Sequence, residues 1–431
     1  MNLSPLTPQA SVVIVGAGQA GAMAAAALRD GGFAGRIVLV GHEPHRPYER
    51  PPLSKAVLCE ADEPRLDVLP DAAFDERGIE WLGGVAATGL APERCELMLS
   101  DGRRLGYDRC LLATGGQARG LPALPPGTPN VHYLRSLDDA RALRARLVPG
   151  VRVAVVGGGF LGLELASSAR ARGADVALLE SAPRLLERFV PPEVSAWLAE
   201  RARALGIALH LGASLSSSEA RAGAADPIVL HTAAGARLAA DLAIVAIGLT
   251  PSVELAQAAG LRLDPVNGGI SVDAHGQTSC AGIYAAGDCA SQFRDIAGAT
   301  LRLESWQNAN EQGRAAAAAM LGLPPPPPAY PWFWTDQLGC NVQMLGLPAA
   351  DLNYQLRGDP LADPCKAIWL GHRDGVPVHG IAINAGGDLR VLRPLFEQRA
   401  AIDLSGFGDH ERPLRGWVKA LQAQPGAATS R

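Results

Sequence analysis

The chain has 431 residues, which is too long for one ordinary hydrophobic core and predicts two or three domains. With 48% hydrophobic and 19% charged residues, it is apolar enough to fold and falls outside the disordered class. Its net charge of -4 supplies no overall positive field, so nucleic acid is not expected as a partner.

The seven cysteines and the N-terminus carry no metal-binding or targeting signal. No Cys-x-x-Cys pair or clustered ligand spacing occurs, so each cysteine is expected to be a small buried residue and no metal site is predicted. Residues 1–10 lack the charged start and apolar run of a signal peptide, and no apolar stretch is long enough to span a bilayer. We therefore expect a cytoplasmic protein without a membrane partner.

The first predicted elements are a strand, a tight turn and a helix. The strand Ser11–Val15 runs into the turn GAGQAG at 16–21, and an alanine-rich helix follows as far as Arg29. A second buried strand is predicted at Arg36–Val40, and Glu43 follows it by three residues.

A nearly identical unit appears later in the chain. Strand Arg152–Val156 enters the turn GGGFLG at 157–162, a helix is predicted to reach Arg172, and strand residues 175–179 end at Glu180. The chain is therefore predicted to carry two dinucleotide-type folds.

Each fold has its own predicted closing strand, and one smaller domain is predicted after both folds. The closing strands are at 107–115 and 241–248, and each enters a glycine turn. The proline run 324–328 cannot continue a helix or a central strand and is predicted to be a stiff spacer. Strands of a smaller α+β domain are predicted beyond it, at 332–334, 342–345 and 366–370.

The Gly-x-Gly-x-x-Gly pattern is typical of turns that bind a pyrophosphate. The first glycine makes the bend, the second lets the backbone approach the phosphates, and the third allows close packing of helix on strand. The helix N-terminus then receives the anion. Both copies follow a strand, open a helix and have an acidic residue some 20 positions on, at Glu43 and Glu180, to bind a ribose diol.

Glu180 also predicts the choice between NADH and NADPH. A carboxylate at this strand end accepts both ribose hydroxyls of NAD and repels the additional phosphate of NADP. NADH is therefore expected; the alternative is that Glu180 is a solvated charge and Arg184 captures the phosphate.

The segment GHEPHRPYERPPLSK at 41–55 closely resembles the FAD-binding stretch of the ferredoxin reductases that serve bacterial oxygenases, a family that includes the putidaredoxin, rubredoxin and biphenyl-dioxygenase ferredoxin reductases. Further similar segments cover most of the chain: GGGFLGLE at 157–164, IYAAGDC at 283–289, RLESWQNA at 302–309 and PWFWTDQ at 331–337.

The resemblance implies an α/β fold with two Rossmann-like dinucleotide-binding domains on the glutathione-reductase plan, plus a smaller C-terminal α+β domain. The implied boundaries are 1–117 with 247–323 for FAD, 118–246 for NADH, and 329–431 for the C-terminal domain.

The resemblance also implies roles for individual residues. The FAD pyrophosphate would be held by Gly16, Gly18 and Gly21, and its adenosine ribose by Glu43. The phosphate and flavin edges would be held by Arg50 and Lys55, the ribityl chain by Asp288 and the isoalloxazine ring by Trp306. Further contacts with FAD would come from Ala113, Thr114, Gly115 and Arg119. NADH would be held by Gly157, Gly159, Gly162, Glu180 and Gly248. A catalytic pair, Lys55 and Glu164, would face the nicotinamide, with Glu164 on the first turn of the second helix. The structural alternatives are that Asp288 caps a helix, Trp306 belongs to the core, and Lys55 and Glu164 are surface charges.

The resemblance further implies an NADH-dependent reductase that passes electrons through FAD to a [2Fe-2S] ferredoxin, or a rubredoxin-like carrier, for a cytochrome P450 or Rieske oxygenase. It would act as a monomer or weak homodimer, and an acidic carrier would meet a rim of arginines.

Two alternatives use the same architecture. Disulfide reductases carry a cysteine pair where this chain has Pro51 and Pro52, so only a single-cysteine NADH oxidase or thiol enzyme using Cys59 stays open. The second alternative is a non-enzymatic binding protein like the apoptosis-inducing factors, whose DNA role the acidic pI disfavours.

Overall fold

The two strand–turn–helix patterns form two separate folds in the computed structural model, which describes residues 6–219 and 227–423. The first unit contains the described residues up to Pro52, with Arg65–Gln117 and Leu249–Ala329. The second contains Leu53–Pro64, the described part of Ala118–Gly248, and the described residues from Tyr330 onward. The expectations for the extreme N-terminus and for the end of the C-terminal domain lie partly outside the described residues.

A five-stranded parallel sheet forms the centre of the first unit. In spatial order its strands are Ile283–Ala285, Arg109–Leu112, Ser11–Val15, Arg36–Val40 and Ile79–Leu82. The carboxyl ends of these strands lie at one edge, where dinucleotides bind in such sheets.

The central strand supplies two different hydrophobic cores. Val12 and Ile14 pack into a cluster that includes residues of the helices Gln19–Asp30 and Trp306–Met320, whereas Val13 and Val15 pack into a cluster on the opposite face. Alternate side chains of a strand point to opposite faces, so a continuous run of β-branched residues is what a sheet covered on both faces requires.

Shorter elements complete the first unit. The strands are Ala87–Ala91, Glu96–Leu99, Arg104–Gly106, Gly116–Ala118, Leu249–Pro251, Ile270–Val272, Ala290–Arg294 and Ala299–Leu301. The helices are Asp71–Glu76 and Glu254–Ala258, with 3-10 turns at Pro51–Ser54 and Pro92–Arg94. The strand Gly116–Ala118 and the turn Pro51–Ser54 cross the division between the two units.

The second unit contains another five-stranded parallel sheet. Its order is Ala208–Leu211, Asp175–Glu180, Arg152–Val156, Leu242–Val245 and Val131–Tyr133. Its helices are Ala56–Cys59, Leu137–Arg146, Phe160–Ala171 and Pro192–Ala204, and a three-stranded antiparallel sheet is formed by Leu215–Glu219, Ile228–Thr232 and Arg237–Ala240.

The C-terminal part of the second unit is a five-stranded antiparallel sheet with two helices. The strands lie in the order Trp332–Gln337, Cys340–Gly346, Val376–Ile383, Lys366–Arg373 and Asn353–Asp359. Helix Gly386–Gln398 buries Leu389, Leu392, Leu395 and Phe396, which recur at the helical period, and Leu414–Gln422 follows it.

The predicted fold class is confirmed, and most predicted elements differ from the observed ones only at their ends. The first helix runs one residue past Arg29, and the second ends at Ala171, one residue before the predicted Arg172. Residues 324–328 form neither helix nor strand. The three predicted domain boundaries stay a prediction. Within the described residues, no helix combines the length and apolarity needed to cross a membrane.

Candidate dinucleotide sites

The first glycine-rich turn has three glycines that do three different things. Gly16 has a φ of +110°, and a Cβ atom there would overlap the carbonyl of Ala113. A Cβ atom at Gly21 would overlap the carbonyl of Gly16, so this glycine lets helix and strand pack closely. At Gly18 a Cβ atom would meet no protein atom within 4 Å. The second glycine therefore faces open space, as a backbone that approaches a pyrophosphate must.

The second turn repeats this arrangement. Gly157 has a φ of +114°, a Cβ atom at Gly162 would overlap the carbonyl of Gly157, and Gly159 again faces open space. The helices that follow begin after Gly18 and Gly159 without a side-chain cap. Their first backbone N–H groups can therefore bind an anion.

Glu43, at the end of the second strand of the first fold, belongs to a partly buried polar cluster. Its carboxylate accepts hydrogen bonds from Arg50 at 2.8 Å and from the Tyr48 hydroxyl at 2.6 Å. Burial alone would raise the pKa of Glu43, but Arg50 and Tyr48 outweigh it and hold that pKa below its usual value. Burial likewise opposes the charge on Arg50, yet Tyr48, Glu43 and Asp288 raise the pKa of Arg50 above its ordinary value. The glutamate and the arginine are both charged at neutral pH.

Asp288 and Trp306, both expected near the flavin, lie in the first unit. Asp288 follows Gly287, whose φ is +82° and whose N–H donates to Gln312 Oε1 at 2.8 Å. Asp288 precedes the strand Ala290–Arg294 and does not cap a helix. Trp306 opens the helix Trp306–Met320, is 36% exposed, and donates from Nε1 to Glu49 Oε1 at 3.3 Å. The alternatives of a helix cap and a core tryptophan are therefore wrong.

The other expected cofactor residues, except Arg119, lie just after a closing strand. Ala113, Thr114 and Gly115 follow strand Arg109–Leu112, and the Thr114 hydroxyl donates to the Ser252 carbonyl at 2.6 Å. In the second unit, the Arg119 N–H donates to the carbonyl of Gly248 at 2.9 Å.

Glu180 reaches over the second glycine-rich turn. Its carboxylate accepts hydrogen bonds from the N–H of Gly158 at 2.5 Å and from the N–H of Ala182 at 2.7 Å. Arg184, the alternative phosphate ligand, donates to the carbonyls of Val190 and Glu187, each at 2.7 Å. The charge placed at this turn is therefore negative, which favours NADH over NADPH.

Lys55 and Glu164 form an ion pair within the second unit. Lys55 Nζ lies 2.8 Å from Glu164 Oε1, and the side chains are 18% and 8% exposed. Glu164 also accepts hydrogen bonds from the hydroxyls of Ser54, to Oε2, and Thr335, to Oε1, each at 2.5 Å. The predicted pairing is confirmed as geometry, and the reading of two surface charges is wrong. Glu164 is the fifth residue of helix Phe160–Ala171, so it lies on the second turn and not on the first as expected.

Comparison with known proteins decides the family. The pyridine nucleotide-disulphide oxidoreductase family matches residues 10–313, and the reductase C-terminal family matches residues 332–418. The ferredoxin--NAD(+) reductase component of the 3-phenylpropionate/cinnamic acid dioxygenase of Photorhabdus laumondii is 40% identical over 90% of this chain and 97% of its own. Putidaredoxin reductase of Pseudomonas putida is 37% identical over 97% of this chain and 99% of its own.

The chain belongs to the ferredoxin–NAD(+) reductase family of oxygenase systems. A solved structure of a covalent putidaredoxin reductase–putidaredoxin complex matches it with a TM-score of 0.90 and 35% identity, covering 96% of this chain and 99% of that one. This reductase is a flavoprotein oxidoreductase that binds FAD and uses NADH. The two open glycine turns and two uncapped helix N-termini fit two dinucleotides.

The cysteines of this reductase do not form a redox pair. All seven lie in the described residues and all are free thiols. Cys59 is exposed, and its Sγ lies 3.9 Å from the carbonyl oxygen of Ser168. Cys95 is also exposed and Cys280 is half-buried, so the expectation that every cysteine is buried is wrong for these three. Among the described residues, no group of three or more His, Cys, Asp and Glu side chains could hold a metal ion.

Two side chains that hold Glu164 were not predicted from the sequence. Ser54 is 110 residues away in the chain and Thr335 is 171 residues away. Thr335 lies in the PWFWTDQ segment, which identified the family but gave no sign of which of its residues reaches Glu164.

Proposed function

We propose that this reductase transfers electrons from NADH, through FAD, to a [2Fe-2S] ferredoxin that supplies a cytochrome P450 or Rieske oxygenase. The observation that carries the proposal is the pair of dinucleotide turns in a chain that has no redox cysteine pair among its described residues. Its relatives are named as ferredoxin--NAD(+) reductase components, and one solved relative is in complex with its redox partner, putidaredoxin.

The first unit would hold FAD. Gly16, Gly18 and Gly21 would receive the pyrophosphate at the N-terminus of helix Gln19–Asp30, Glu43 would bind the adenosine ribose, and Asp288 would bind the ribityl chain. The remaining FAD contacts of this unit would come from Arg50, Ala113, Thr114, Gly115 and Trp306, whereas Lys55 and Arg119, whose contacts with FAD stay a prediction, belong to the second unit. When bound, FAD supplies the conversion of a two-electron hydride into single electrons.

The second unit would hold NADH and orient it. Gly157, Gly159 and Gly162 would receive its pyrophosphate, Glu180 its ribose diol, and Gly248 would lie against the nucleotide. Glu164 would hold the Lys55 ammonium group in place beside the nicotinamide. Since hydride transfer to flavin needs no protein nucleophile, the chain's task is to position the two rings and exclude water.

A groove in the C-terminal part of the second unit is suited to an acidic ferredoxin. It has a volume of about 640 Å³ and lies between helices Gly386–Gln398 and Leu414–Gln422. Arg390, Arg415 and Lys419 line it and are exposed, while the Asp388 carboxylate in it pairs with Lys366 at 2.8 Å. The groove therefore presents net positive charge, which would steer an acidic partner.

NADH-driven reduction of a [2Fe-2S] ferredoxin tests the proposal. The kcat/KM for the ferredoxin should be high at low salt and fall as ionic strength rises. Charge reversal by Arg415→Glu should lower it about tenfold without changing NADH-driven reduction of ferricyanide. Arg237→Glu, an exposed substitution in strand Arg237–Ala240 of the same unit, is the matched control. If the wild-type protein is reduced by NADH but passes no electrons to any ferredoxin, the proposed acceptor is wrong.

We further propose a cytoplasmic enzyme that acts as a monomer or weak homodimer. Seven free thiols, of which Cys59 and Cys95 are exposed, suit a reducing compartment. Sedimentation velocity of the FAD-loaded protein at micromolar concentration would test the oligomeric state.

A further inference from the structure

The Glu164 carboxylate is held from three directions by three hydrogen-bond donors. Lys55 Nζ and the Thr335 hydroxyl both contact Oε1, at 2.8 and 2.5 Å, and the Ser54 hydroxyl contacts Oε2 at 2.5 Å. Glu164 is 7% exposed, Ser54 is 3% exposed and Thr335 is completely buried. Removing a carboxylate from water costs free energy, and hydrogen-bond donors such as these offset that cost.

Thr335 comes from a different family region than the other members of this cluster. Ser54, Lys55 and Glu164 lie in the segment matched by the pyridine nucleotide-disulphide oxidoreductase family, whereas Thr335 lies in the reductase C-terminal segment. All four belong to one compact unit. The C-terminal region therefore reaches the pair that is proposed to face the nicotinamide.

The position of Thr335 is set by a strand that runs along a helix. Strand Trp332–Gln337 packs along helix Phe160–Ala171, and the ring centroids of Phe333 and Phe160 are 4.6 Å apart. Beyond Thr335 and Glu164, the Leu338 N–H donates to Ser167 Oγ at 2.9 Å.

The helix segment from Phe160 to Glu164 and the strand segment from Phe333 to Thr335 have nearly the same length. The four steps along the helix from Phe160 to Glu164 rise about 6 Å, and the two steps along the strand from Phe333 to Thr335 rise about 6.6 Å. A contact at Phe333 therefore places the Thr335 hydroxyl at the height of the Glu164 carboxylate.

We infer that Thr335 is a positioning residue of the NADH half-reaction, through which the C-terminal region fixes the Lys55–Glu164 pair. This inference rests on the proposed role of that pair in orienting the nicotinamide. It assigns the C-terminal region a function on the electron-donor side in addition to any part in docking a carrier.

The test compares Thr335→Val, which keeps the shape and removes the hydroxyl, with Thr335→Ser, which restores it. In anaerobic single-turnover reduction by NADH, Thr335→Val should lower the limiting rate of flavin bleaching roughly tenfold, the expected scale for losing one hydrogen bond to a charged group. The dissociation constant for NADH should stay within about twofold of wild type, since the ribose and pyrophosphate contacts are untouched. Thr335→Ser should recover most of the rate.

A second readout does not depend on activity. The chain has three lysines, so acetylation of Lys55 can be followed by mass spectrometry against Lys366, which is 63% exposed, and Lys419, which is also exposed. In the FAD-loaded protein, Thr335→Val should speed the labelling of Lys55 severalfold because Glu164 is no longer held against it. Labelling of the other two lysines should not change.

Thr232→Val is the matched control. Thr232 is a buried threonine of the same unit whose hydroxyl accepts a hydrogen bond from the Ala236 N–H at 3.0 Å. It should lose similar stability and keep both the rate of flavin reduction and the labelling of Lys55. If Thr335→Val does not take up FAD, Thr335→Ala replaces it.

The inference is overturned if the Thr335 variant without a hydroxyl keeps the wild-type rate and the wild-type labelling of Lys55, or if Thr335→Ser is as slow as that variant. Glu164→Gln separates this from the proposed function: a wild-type rate in that variant means that the pair itself has no role in NADH oxidation. No ferredoxin is used, so failure to find a ferredoxin acceptor leaves the inference standing.

Discussion

Glu180 Oε2 accepts a hydrogen bond from the N–H of Gly158 at 2.5 Å, so the carboxylate is fixed on the turn that would receive the NADH pyrophosphate. A second hydrogen bond, from the N–H of Ala182, holds its other oxygen. The carboxylate is thus directed by the backbone before any nucleotide binds.

Glu180→Arg should shift the preference from NADH toward NADPH. The substitution replaces a ribose-binding carboxylate that repels the 2′-phosphate with a cation that binds it. We expect the ratio of kcat/KM values, NADH over NADPH, to fall at least tenfold, which corresponds to about 1.4 kcal/mol. Arg184→Ala should leave this ratio unchanged because Arg184 is bound to backbone carbonyls. A wild-type enzyme that already prefers NADPH would contradict the assignment.

Gly18→Val and Gly159→Val should separate the two nucleotide sites. Both glycines have negative φ, and a Cβ atom at either meets no protein atom within 4 Å, so valine should be accommodated in the folded chain. Gly18→Val should give a folded, colourless protein because the side chain occupies the pyrophosphate position of FAD. Gly159→Val should give a yellow protein that NADH reduces at least a hundredfold more slowly.

Gly21, the third glycine of the first turn, provides a contrasting substitution. A Cβ atom at Gly21 would overlap a backbone carbonyl, so Gly21→Val should lower the yield of folded protein itself. Circular dichroism, the flavin absorbance and stopped-flow reduction by NADH measure these outcomes. A Gly18→Val protein with a full complement of FAD would show that this turn is not the FAD site.

Cys59→Ser should retain nearly full turnover from NADH to ferredoxin. The thiol lies near the carbonyl of Ser168, the seven cysteines form no pair, and a serine can make the same contact. The measurement is steady-state ferredoxin reduction in a variant with a normal flavin spectrum, and Cys95→Ser, at another exposed thiol, is the control. Complete loss of turnover in Cys59→Ser alone would favour the oxidase or thiol chemistry.

His379 should make the protein less stable as the pH falls from 6.5 toward 4. It is 1% exposed, its Nδ1 lies 2.8 Å from the Tyr354 hydroxyl, and burial lowers its pKa to about 4. The unfolded chain binds a proton at this histidine near pH 6.5, whereas the folded chain does not, so acid favours unfolding. The contribution should be lost at up to about 1.4 kcal/mol per pH unit.

Urea titrations at pH 7, 6 and 5, followed by tryptophan fluorescence, measure this effect. His379→Gln should be less stable at pH 7, yet its free energy of unfolding should depend less on pH across this interval. His231→Gln is the control, because that histidine is only half-buried and lies 2.9 Å from Glu219. Parallel pH dependence in the wild type and His379→Gln would contradict the assignment.

The local sequence determined the two nucleotide folds and the family. A buried strand, a glycine turn and a helix are adjacent in the chain, and their requirements act at fixed spacings of a few residues. The three roles of Gly16, Gly18 and Gly21, and those of their counterparts, could therefore be predicted from the pattern alone. The smaller C-terminal domain could be predicted because a proline run, which continues neither a helix nor a central strand, precedes short segments rich in aromatic and aliphatic residues.

Only the tertiary structure decided which side chains surround Glu164. Its hydroxyl donors come from Ser54 and Thr335, which lie 110 residues before it and 171 residues after it, and such separations leave no periodic signal. Likewise, a sequence cannot show that Arg184 is bound by carbonyls of its own loop while the Glu180 carboxylate accepts a hydrogen bond from the turn. These relationships depend on the register between a strand and a helix and on hydrogen bonds formed after folding, which no local pattern encodes.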